Sequence, residues 1–334
     1  FFNPEQYVDW KNEPSNIQLR LPLLATRAIT EHEDFVYQRV LKEDGKLAMN
    51  SEALARYNEF QPDIVINSLA WWPECLDWQT LRDIRSAGGC VVTVFWDTWL
   101  STLPHEVELL LNSDVTIVMD SLTNYLKFRL LLEQQGSPNR VGFAPIAVHT
   151  PLVKPMGLEK TCDVLLLGSQ EGQRVELAKF LTRELKERGI SFSRAGGLVN
   201  EAVDGKMKTP WISWDEYVRT INSTKIAISS QTQPDRIQIK GKIFDYFACG
   251  TLCLSDDNSD LRAFVPDDCL VYYTDPQDCV EKATHYLSDD SAREKIAARG
   301  REWLNSVYDS SAFWRTMLRS SAMRGQTLPE LKGV

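Results

Sequence analysis

The sequence predicts an α/β protein built on parallel sheets. From about residue 63 onward, short β-branched runs alternate with amphipathic stretches, which is the pattern of βαβ units. The alternation stops over residues 147–160, a stretch that contains Pro151, Pro155 and Gly157, and then begins again. A chain of 334 residues fits two domains of roughly 150 residues each. We therefore expect two Rossmann-like domains that face each other across a cleft.

The elements of the first half each have a local signal. A helix over residues 51–60 ends before Pro62, because the residue before a proline is biased away from the helical region. A helix over 76–87 ends at glycine, another begins at Pro104, and Ser121 caps a fourth, which runs to residue 134. The predicted strands are short apolar runs over residues 64–67, 90–95, 115–119 and 141–144. Before residue 51 the pattern is weaker, and it indicates a strand over 16–24 and a helix over 33–42.

The second half repeats the alternation. A helix over residues 174–188 ends at Gly189, and a helix over 242–248 ends just before Gly250. Further helices are predicted over residues 214–222, 278–287, 292–307 and 311–319. Strands are predicted over residues 162–167, 190–193, 225–229, 251–255 and 270–273.

Charge and composition exclude several partners. The 37 basic and 46 acidic side chains give a formal net charge of -9, which argues against nucleic acid or an anionic membrane as the main partner. No apolar run approaches the roughly 18 residues of a membrane span, so no transmembrane segment is expected. The seven cysteines form no C-x-x-C pair, and nothing at the start reads as a signal peptide. We therefore expect a cytoplasmic protein.

Missing motifs narrow the chemistry. The sequence has no G-x-x-x-x-G-K-[ST], no G-x-G-x-x-G, no G-x-S-x-G and no H-E-x-x-H. These absences disfavour P-loop nucleoside triphosphatases, standard dinucleotide-binding enzymes, esterases with a nucleophile elbow and zinc peptidases. Because the four histidines are widely separated, a histidine-based metal site is not expected.

A basic cluster precedes the helix predicted over residues 242–248. Arg236, Lys240 and Lys242 lie at this strand-to-helix junction, and Asp245 follows one turn into the helix. The N-terminus of a helix adds partial positive charge and free N–H groups, so the junction could bind a diphosphate. Asp245 could then accept hydrogen bonds from a ribose diol. The alternative is a solvated basic loop before an ordinary amphipathic helix.

A second phosphate-binding candidate follows the strand over residues 162–167. Gly168 and Ser169 form the turn, and Arg174 begins the next helix. Glycine allows a close backbone approach to phosphate, and arginine can bind it with two parallel hydrogen bonds. A plain βα turn is the alternative.

One long run carries a family resemblance. Residues 240–255, with the sequence KGKIFDYFACGTLCLS, resemble the donor-binding signature of group 1 glycosyltransferases, and the closest branch is the spore-maturation (CgeB-like) family. The similarity spans roughly residues 162–318, whereas the first half is alike only in architecture. It implies a GT-B fold with an acceptor-side domain over residues 1–150 and a nucleotide-sugar domain over 151–308. A C-terminal segment over 309–334 would form a helix that crosses back to the first domain.

The resemblance also implies roles for single residues. Asp245 takes the place of the glutamate that binds the donor ribose, and the basic residues Arg236, Lys240 and Lys242 take that of the cations that neutralise the diphosphate. The segment of Gly168, Ser169 and Arg174 matches the first phosphate loop, while Trp211 and Ile212 fall where backbone groups pair with the base. Such enzymes need no metal or other cofactor, which agrees with the absence of an Asp-x-Asp motif.

Three departures from the family pattern are visible. The signature pairs two acids eight positions apart, but Ile237 stands where the first acid is expected. Aspartate replaces the longer glutamate at position 245. No glycine occurs before Gly45, so the expected glycine-rich loop of the first domain is not found.

The first half supplies candidates for catalysis and acceptor binding. Asp97 follows a predicted strand at its carboxyl end, with His105 further along the chain. As a general base, Asp97 would deprotonate an acceptor hydroxyl and give inversion; in a retaining reaction it would only position a sugar. Trp71, Trp96 and Trp99 could line the acceptor site. The alternatives are that Asp97 caps the next segment, that His105 is simply exposed, and that the tryptophans belong to the core.

The expected function is therefore transfer of a sugar from a nucleoside diphosphate sugar to a hydroxyl of a glycan, a lipid-linked sugar or a protein. Two alternatives stay open. A nucleotide-sugar epimerase can share this architecture, and a non-catalytic sugar-nucleotide-binding module would agree with the missing first acid.

Overall fold

The computed structural model describes residues 43–69, 76–96, 98, 104–168, 172–195, 202–203, 206–207, 213–233 and 237–322. The strand expected over 16–24 and the helix expected over 33–42 lie outside these ranges. The chain divides into two compact units, one from within residues 1–146 and 313–333 and one from within 147–312.

The first unit is built on a four-stranded parallel sheet in the order β1-β2-β3-β4. The strands are β1 (Ile64–Leu69), β2 (Cys90–Phe95), β3 (Val115–Val118) and β4 (Arg140–Phe143). The helices are α1 (Glu43–Phe60), α2 (Trp78–Ser86), α3 (Pro104–Leu111) and α4 (Leu122–Gln134). β2 and β3 are buried along their whole length, as expected for central strands covered on both faces.

Helix α1 begins eight residues earlier than expected, at Glu43 rather than at residue 51. Gly45 weakens the helical signal of the first turns, since glycine costs about 1 kcal/mol in a helix interior. The buried residues Met49, Ala53 and Tyr57 recur every four positions and form the face that packs on the unit. The free energy gained by packing this face therefore outweighs the low helix propensity of the first turns.

The second unit is built on a five-stranded parallel sheet in the order β11-β10-β9-β5-β6. The strands are β5 (Cys162–Leu167), β6 (Phe192–Ala195), β9 (Thr224–Ser229), β10 (Leu252–Asp256) and β11 (Val271–Tyr273). The helices are α5 (Gln173–Glu187), α6 (Trp214–Asn222), α7 (Lys242–Cys249), α8 (Ser259–Phe264), α9 (Pro276–Ser288) and α10 (Asp290–Val307). A last helix, α11 (Ser310–Ala322), belongs to the first unit from Phe313 onward.

Helix α7 is held on the unit by aromatic packing. The Phe244 ring lies 5.7 Å from the Tyr308 ring and 6.2 Å from the Trp303 ring, centroid to centroid. Phe264 packs edge-on against Tyr308 at 4.9 Å. Because large aromatic pairs contribute strongly to packing, this cluster fixes the helix that carries Lys242 and Asp245.

A short helix and two short strands were not expected from the sequence. Helix α8 has six residues, too few for an apolar period, and its signal is the cap: the Asn258 side chain accepts hydrogen bonds from the backbone N–H groups of Asp260 and Leu261. The strands β7 (Ala202–Val203) and β8 (Lys206–Met207) form a two-stranded antiparallel sheet. None of the helices in the described ranges is long and apolar enough to cross a bilayer.

Candidate active site

Three neighbouring strands of the second sheet end close together. β10, β9 and β5 are adjacent and parallel, so the residues at or just after their carboxyl ends share one edge. These residues are Asp256, Ser230 and Gly168. Ligands of open parallel sheets bind at this edge, which makes it the candidate site.

Gly168 brings two basic side chains to this edge. Its φ of 102° lies in the region that glycine alone adopts readily. A Cβ at this position would lie 3.4 Å from Arg174 Nη1 and 3.4 Å from Lys242 Nζ. Arg174 and Lys242 therefore flank the turn after β5. The sequence predicts Arg174 at this turn and Lys242 in the separate basic cluster, and their phosphate-binding role stays a prediction.

Arg174 is anchored on the turn after β9. Its side chain is buried, with 4% of the residue exposed, and its Nε donates to Ser230 Oγ at 3.0 Å. Its Nη2 donates to the Ser230 carbonyl at 2.5 Å. The two turns also touch through the backbone, because Gln173 N donates to the Thr232 carbonyl at 3.0 Å. A Cβ on Gly172, whose φ is 54°, would lie only 2.0 Å from that carbonyl oxygen.

Lys242 reaches the carbonyl end of β5. Its Nζ donates to the Leu167 carbonyl at 2.7 Å. Burial lowers the Lys242 pKa well below its usual value, and the charges of Arg174 and Lys240 lower it further, while Asp256 raises it. Burial likewise raises the pKa of Asp256, against the opposing effects of Arg174 and Lys242.

Lys240 is held by a buried glutamine. Its Nζ donates to the side-chain carbonyl of Gln238, a residue that is 2% exposed. The Gln238 backbone carbonyl accepts hydrogen bonds from Gln231 Nε2 at 2.7 Å and from Asn258 Nδ2 at 2.8 Å. These hydrogen bonds hold residues 238–240, the segment that leads into α7.

Arg174, Lys240 and Lys242 together form what we call the cation cluster. Positive charges that lower one another's proton affinity favour an anion placed among them. The first turn of α7 adds the positive end of a helix dipole at Lys242. Chemically, the arrangement can bind a diphosphate and stabilise it as a leaving group.

Asp245 lies one turn further along α7 and is buried, with 3% of the residue exposed. Burial raises the pKa of the Asp245 carboxyl to about 7, against the lowering effect of a hydrogen bond from Tyr217. That bond joins Tyr217 Oη to Asp245 Oδ2 at 2.7 Å. The Tyr217 ring stacks on Trp214, with centroids 5.0 Å apart.

The first unit contains two described residues for which the sequence predicts an acceptor-binding or catalytic role. Trp96 follows β2 and is half-buried, and His105 is half-buried in the first turn of α3. Thr98 is held by Asp120, whose carboxylate accepts from the Thr98 backbone N–H at 2.9 Å and from its hydroxyl at 2.8 Å. The backbone after β2 is therefore anchored to the end of β3.

Seven predicted site residues lie outside the described ranges, and their roles stay predictions. They are Trp71, Asp97, Trp99, Ser169, Trp211, Ile212 and Arg236.

Sequence reasoning missed the polar partners of the site. Ser230 and Asp256 stand at the ends of strands β9 and β10, so the rule that placed Gly168 at the sheet edge could have found both. Gln238 and Tyr217 carry no such signal, since their roles depend on tertiary contacts with Lys240 and Asp245. Within the described ranges, no group of three or more histidine, cysteine, aspartate or glutamate side chains could hold a metal ion.

The sequence of this unit is similar to that of known proteins. Residues 173–319 match the family model described as glycosyl transferase-like. The spore protein CgeB of Bacillus subtilis (strain 168) is 24% identical over 273 residues, which are 74% of this chain and 79% of that protein.

Solved structures show the same fold. A glycosyltransferase from Rickettsia africae superposes with a TM-score of 0.60 at 12% identity, over 85% of this chain and 83% of that one. Anabaena Alr3699/HepE, in complex with UDP-glucose, superposes with a TM-score of 0.59 at 11% identity, over 94% and 97% of the two chains. The chain therefore has a GT-B fold, and it is similar over the cation cluster and α7 to glycosyl transferase-like proteins and over most of its length to spore protein CgeB.

Proposed function

We propose that the protein transfers a sugar from a nucleoside diphosphate sugar to a hydroxyl of a glycan, a lipid-linked sugar or a protein, without a metal ion. The observation that carries the proposal is the cation cluster at the carboxyl edge of the second sheet. A diphosphate leaving group needs its developing charge stabilised, and preorganised basic side chains beside a helix N-terminus supply that stabilisation.

The donor is assigned to the second unit. Arg174, Lys240 and Lys242, together with Arg236, would bind the diphosphate, and Gly168 would let the backbone approach it. Asp245 would accept hydrogen bonds from the ribose. The neighbour HepE holds UDP-glucose, which makes uridine nucleotides the first donors to examine.

The acceptor is assigned to the first unit. Asp97 would act as general base or as a positioning acid, with His105 behind it, and the indoles of Trp71, Trp96 and Trp99 would stack on a sugar.

Measurements of donor turnover distinguish sugar transfer from two other activities. An epimerase changes the nucleotide sugar without an acceptor, and a binding module leaves it intact, whereas a transferase releases nucleoside diphosphate faster when acceptor is added.

The phosphate site is tested with Lys240→Ala. Loss of a charged hydrogen-bond partner is expected to weaken UDP or GDP binding by about ten- to a hundredfold, as calorimetry would measure it. Lys179→Ala is the matched control, since Lys179 is an exposed lysine of the same unit that pairs only with Glu176 among the described residues. EDTA should leave binding and turnover unchanged. An affinity that is the same in Lys240→Ala and wild type would refute the assigned site.

A further inference from the structure

Tyr217 is the one side chain in the described ranges that hydrogen-bonds the Asp245 carboxylate. Its hydroxyl donates to Asp245 Oδ2 at 2.7 Å from the neighbouring helix α6. The other carboxylate oxygen, Oδ1, accepts no hydrogen bond from the described residues. One oxygen is therefore held while the second keeps its hydrogen-bonding capacity.

The Tyr217 ring is fixed on its helix. It stacks on Trp214, one turn earlier, with an angle of 23° between the ring planes. Ser213 caps the helix, since its side chain accepts from the Glu216 backbone N–H at 3.2 Å. The turn that carries Tyr217 directly follows residues 211–212, which the sequence analysis assigns to the base of the donor. Tyr217 is thus part of the element expected beside the nucleoside.

We propose that Tyr217 is a positioning residue for nucleoside recognition. Its hydroxyl holds Oδ2 of Asp245, so that Oδ1 accepts the hydrogen bond of the donor's ribose 2′-hydroxyl. The inference rests on the proposed function, because it assumes that Asp245 binds the ribose. It goes beyond that function by explaining how a short aspartate, buried in α7, is oriented for the task.

The Tyr217 hydrogen bond also controls the charge of Asp245. Burial raises the pKa of Asp245 and the bond from Tyr217 lowers it. The charge of Asp245 also raises the pKa values of two other groups on α7, which are Tyr246 and Cys249. Cys253 of β10 and Arg301 of α10 act on the pKa values of Tyr246 and Cys249, respectively. Removing the Tyr217 hydroxyl should therefore favour the protonated, weakly accepting form of Asp245.

The test measures ribose preference, which is the affinity for a nucleoside diphosphate divided by that for its 2′-deoxy form. The probe is UDP or GDP, whichever binds the wild type more tightly, studied by calorimetry at pH 8. A hydrogen bond to a charged group gives a preference of about tenfold or more. In Tyr217→Phe we expect it to fall to about twofold or less, with recovery as the pH rises, because Asp245 then ionises at a higher pH.

Tyr273→Phe is the matched control. Tyr273 is also a buried tyrosine of this unit, and its hydroxyl donates to the Ser229 carbonyl at 3.0 Å, so the variant loses one buried hydrogen bond away from Asp245. Its ribose preference should equal that of wild type at every pH. If Tyr217→Phe fails to fold, 3-fluorotyrosine at position 217 keeps the ring and gives a more acidic hydroxyl. The ribose preference should then persist to lower pH than in wild type.

The two proposals fail differently. If wild type binds neither UDP nor GDP, the proposed function is wrong. If it binds one of them, but Tyr217→Phe keeps the wild-type ribose preference and pH profile, the positioning role is wrong. An unchanged pH profile in the fluorotyrosine protein would likewise overturn it.

Discussion

Lys242 shows how binding and stability oppose each other at a single residue. Burial of its ammonium and the charges of Arg174 and Lys240 lower its pKa, which makes the charged form costly in the free protein. A bound diphosphate would remove that cost by supplying opposite charge. The charged form of Lys242 therefore destabilises the free protein, and it would stabilise a complex with a diphosphate.

Lys242→Met should separate these two effects. We expect the variant to lose diphosphate binding but to be more stable than wild type without ligand, by about 0.5–2 kcal/mol, since it keeps the apolar stem without the charge. A lysine whose pKa is lowered by folding takes up a proton on unfolding, so wild-type stability falls as the pH drops below the ordinary lysine pKa. The stability difference should consequently be larger at pH 7 than at pH 10.

Urea unfolding at the two pH values checks this expectation. Lys295→Met, at an exposed position of α10, is the control and should change stability little. A Lys242→Met protein that is less stable than wild type at both pH values would show that the hydrogen bond to the Leu167 carbonyl outweighs the buried charge.

Among single residues, the sequence predicted those that are marked by a local sequence pattern. Lys240 and Lys242 were predicted from the basic junction before a helix, and Arg174 from the turn after a strand, as two separate phosphate-binding candidates. The structure brings the three residues together. Tyr217 and Gln238 were not predicted, because a tyrosine on an amphipathic helix and a glutamine in a loop have many possible partners.

Helix α7 depends on the close approach of helix α10. A Cβ on Gly300 would lie 2.8 Å from the Cys269 carbonyl oxygen and 2.9 Å from Phe247 Cδ1. The first of these is backbone, which cannot turn aside as a flexible side chain can. Gly300 therefore sets how closely α10 packs on the helix that carries the candidate site.

Gly300→Ala is expected to destabilise the protein, although alanine is the better helix former. Overpacking costs about 1–3 kcal/mol, which exceeds the gain in helix propensity of about 1 kcal/mol. Urea unfolding followed by circular dichroism measures the change, with Lys295→Ala on the exposed face of the same helix as control. A midpoint at or above that of wild type would contradict the inferred crowding.

The elements themselves were largely predictable. The predicted strands of both sheets lie within two residues of the observed ones, since buried parallel strands are continuous apolar runs bounded by turns. The six residues of α8 and the two-residue strands β7 and β8 are too short for any period, and they were missed. Periodicity is visible only in elements of more than one or two turns or several strand residues, so the sequence pattern predicts those elements and misses shorter ones.

At the scale of the whole molecule, the two parallel sheets were predicted, because the alternation of strands and helices restarts after residue 160. The net charge of the chain is -9, but three cations that lie close together still give a locally positive potential, because salt screens more distant charges. The roles of Asp97 and the tryptophans of the first unit stay predictions, and they concern transfer rather than donor binding.

Asp97→Asn tests whether the first unit supplies the group needed for sugar transfer while the second unit binds the donor. We expect it to abolish sugar transfer, by a hundredfold or more if Asp97 is a general base worth about 10²–10⁴ in rate, and to leave UDP or GDP affinity unchanged. Release of nucleoside diphosphate, with and without an acceptor, measures the first quantity and calorimetry the second. Asp83→Asn, at an exposed position of α2, is the control. Full turnover in Asp97→Asn would remove this residue from the mechanism.

The contact between Gly172 and the Thr232 carbonyl bears on how donor preference could be re-engineered. Because any side chain at position 172 would meet that oxygen at 2.0 Å, the turns after β5 and β9 are joined through their backbones. A library that randomises position 172 will consist mainly of misfolded clones. Diversity introduced at Thr232 leaves the joint intact, because the joint uses the Thr232 backbone carbonyl, whereas Gln231 has to be kept because its side chain donates to the Gln238 carbonyl.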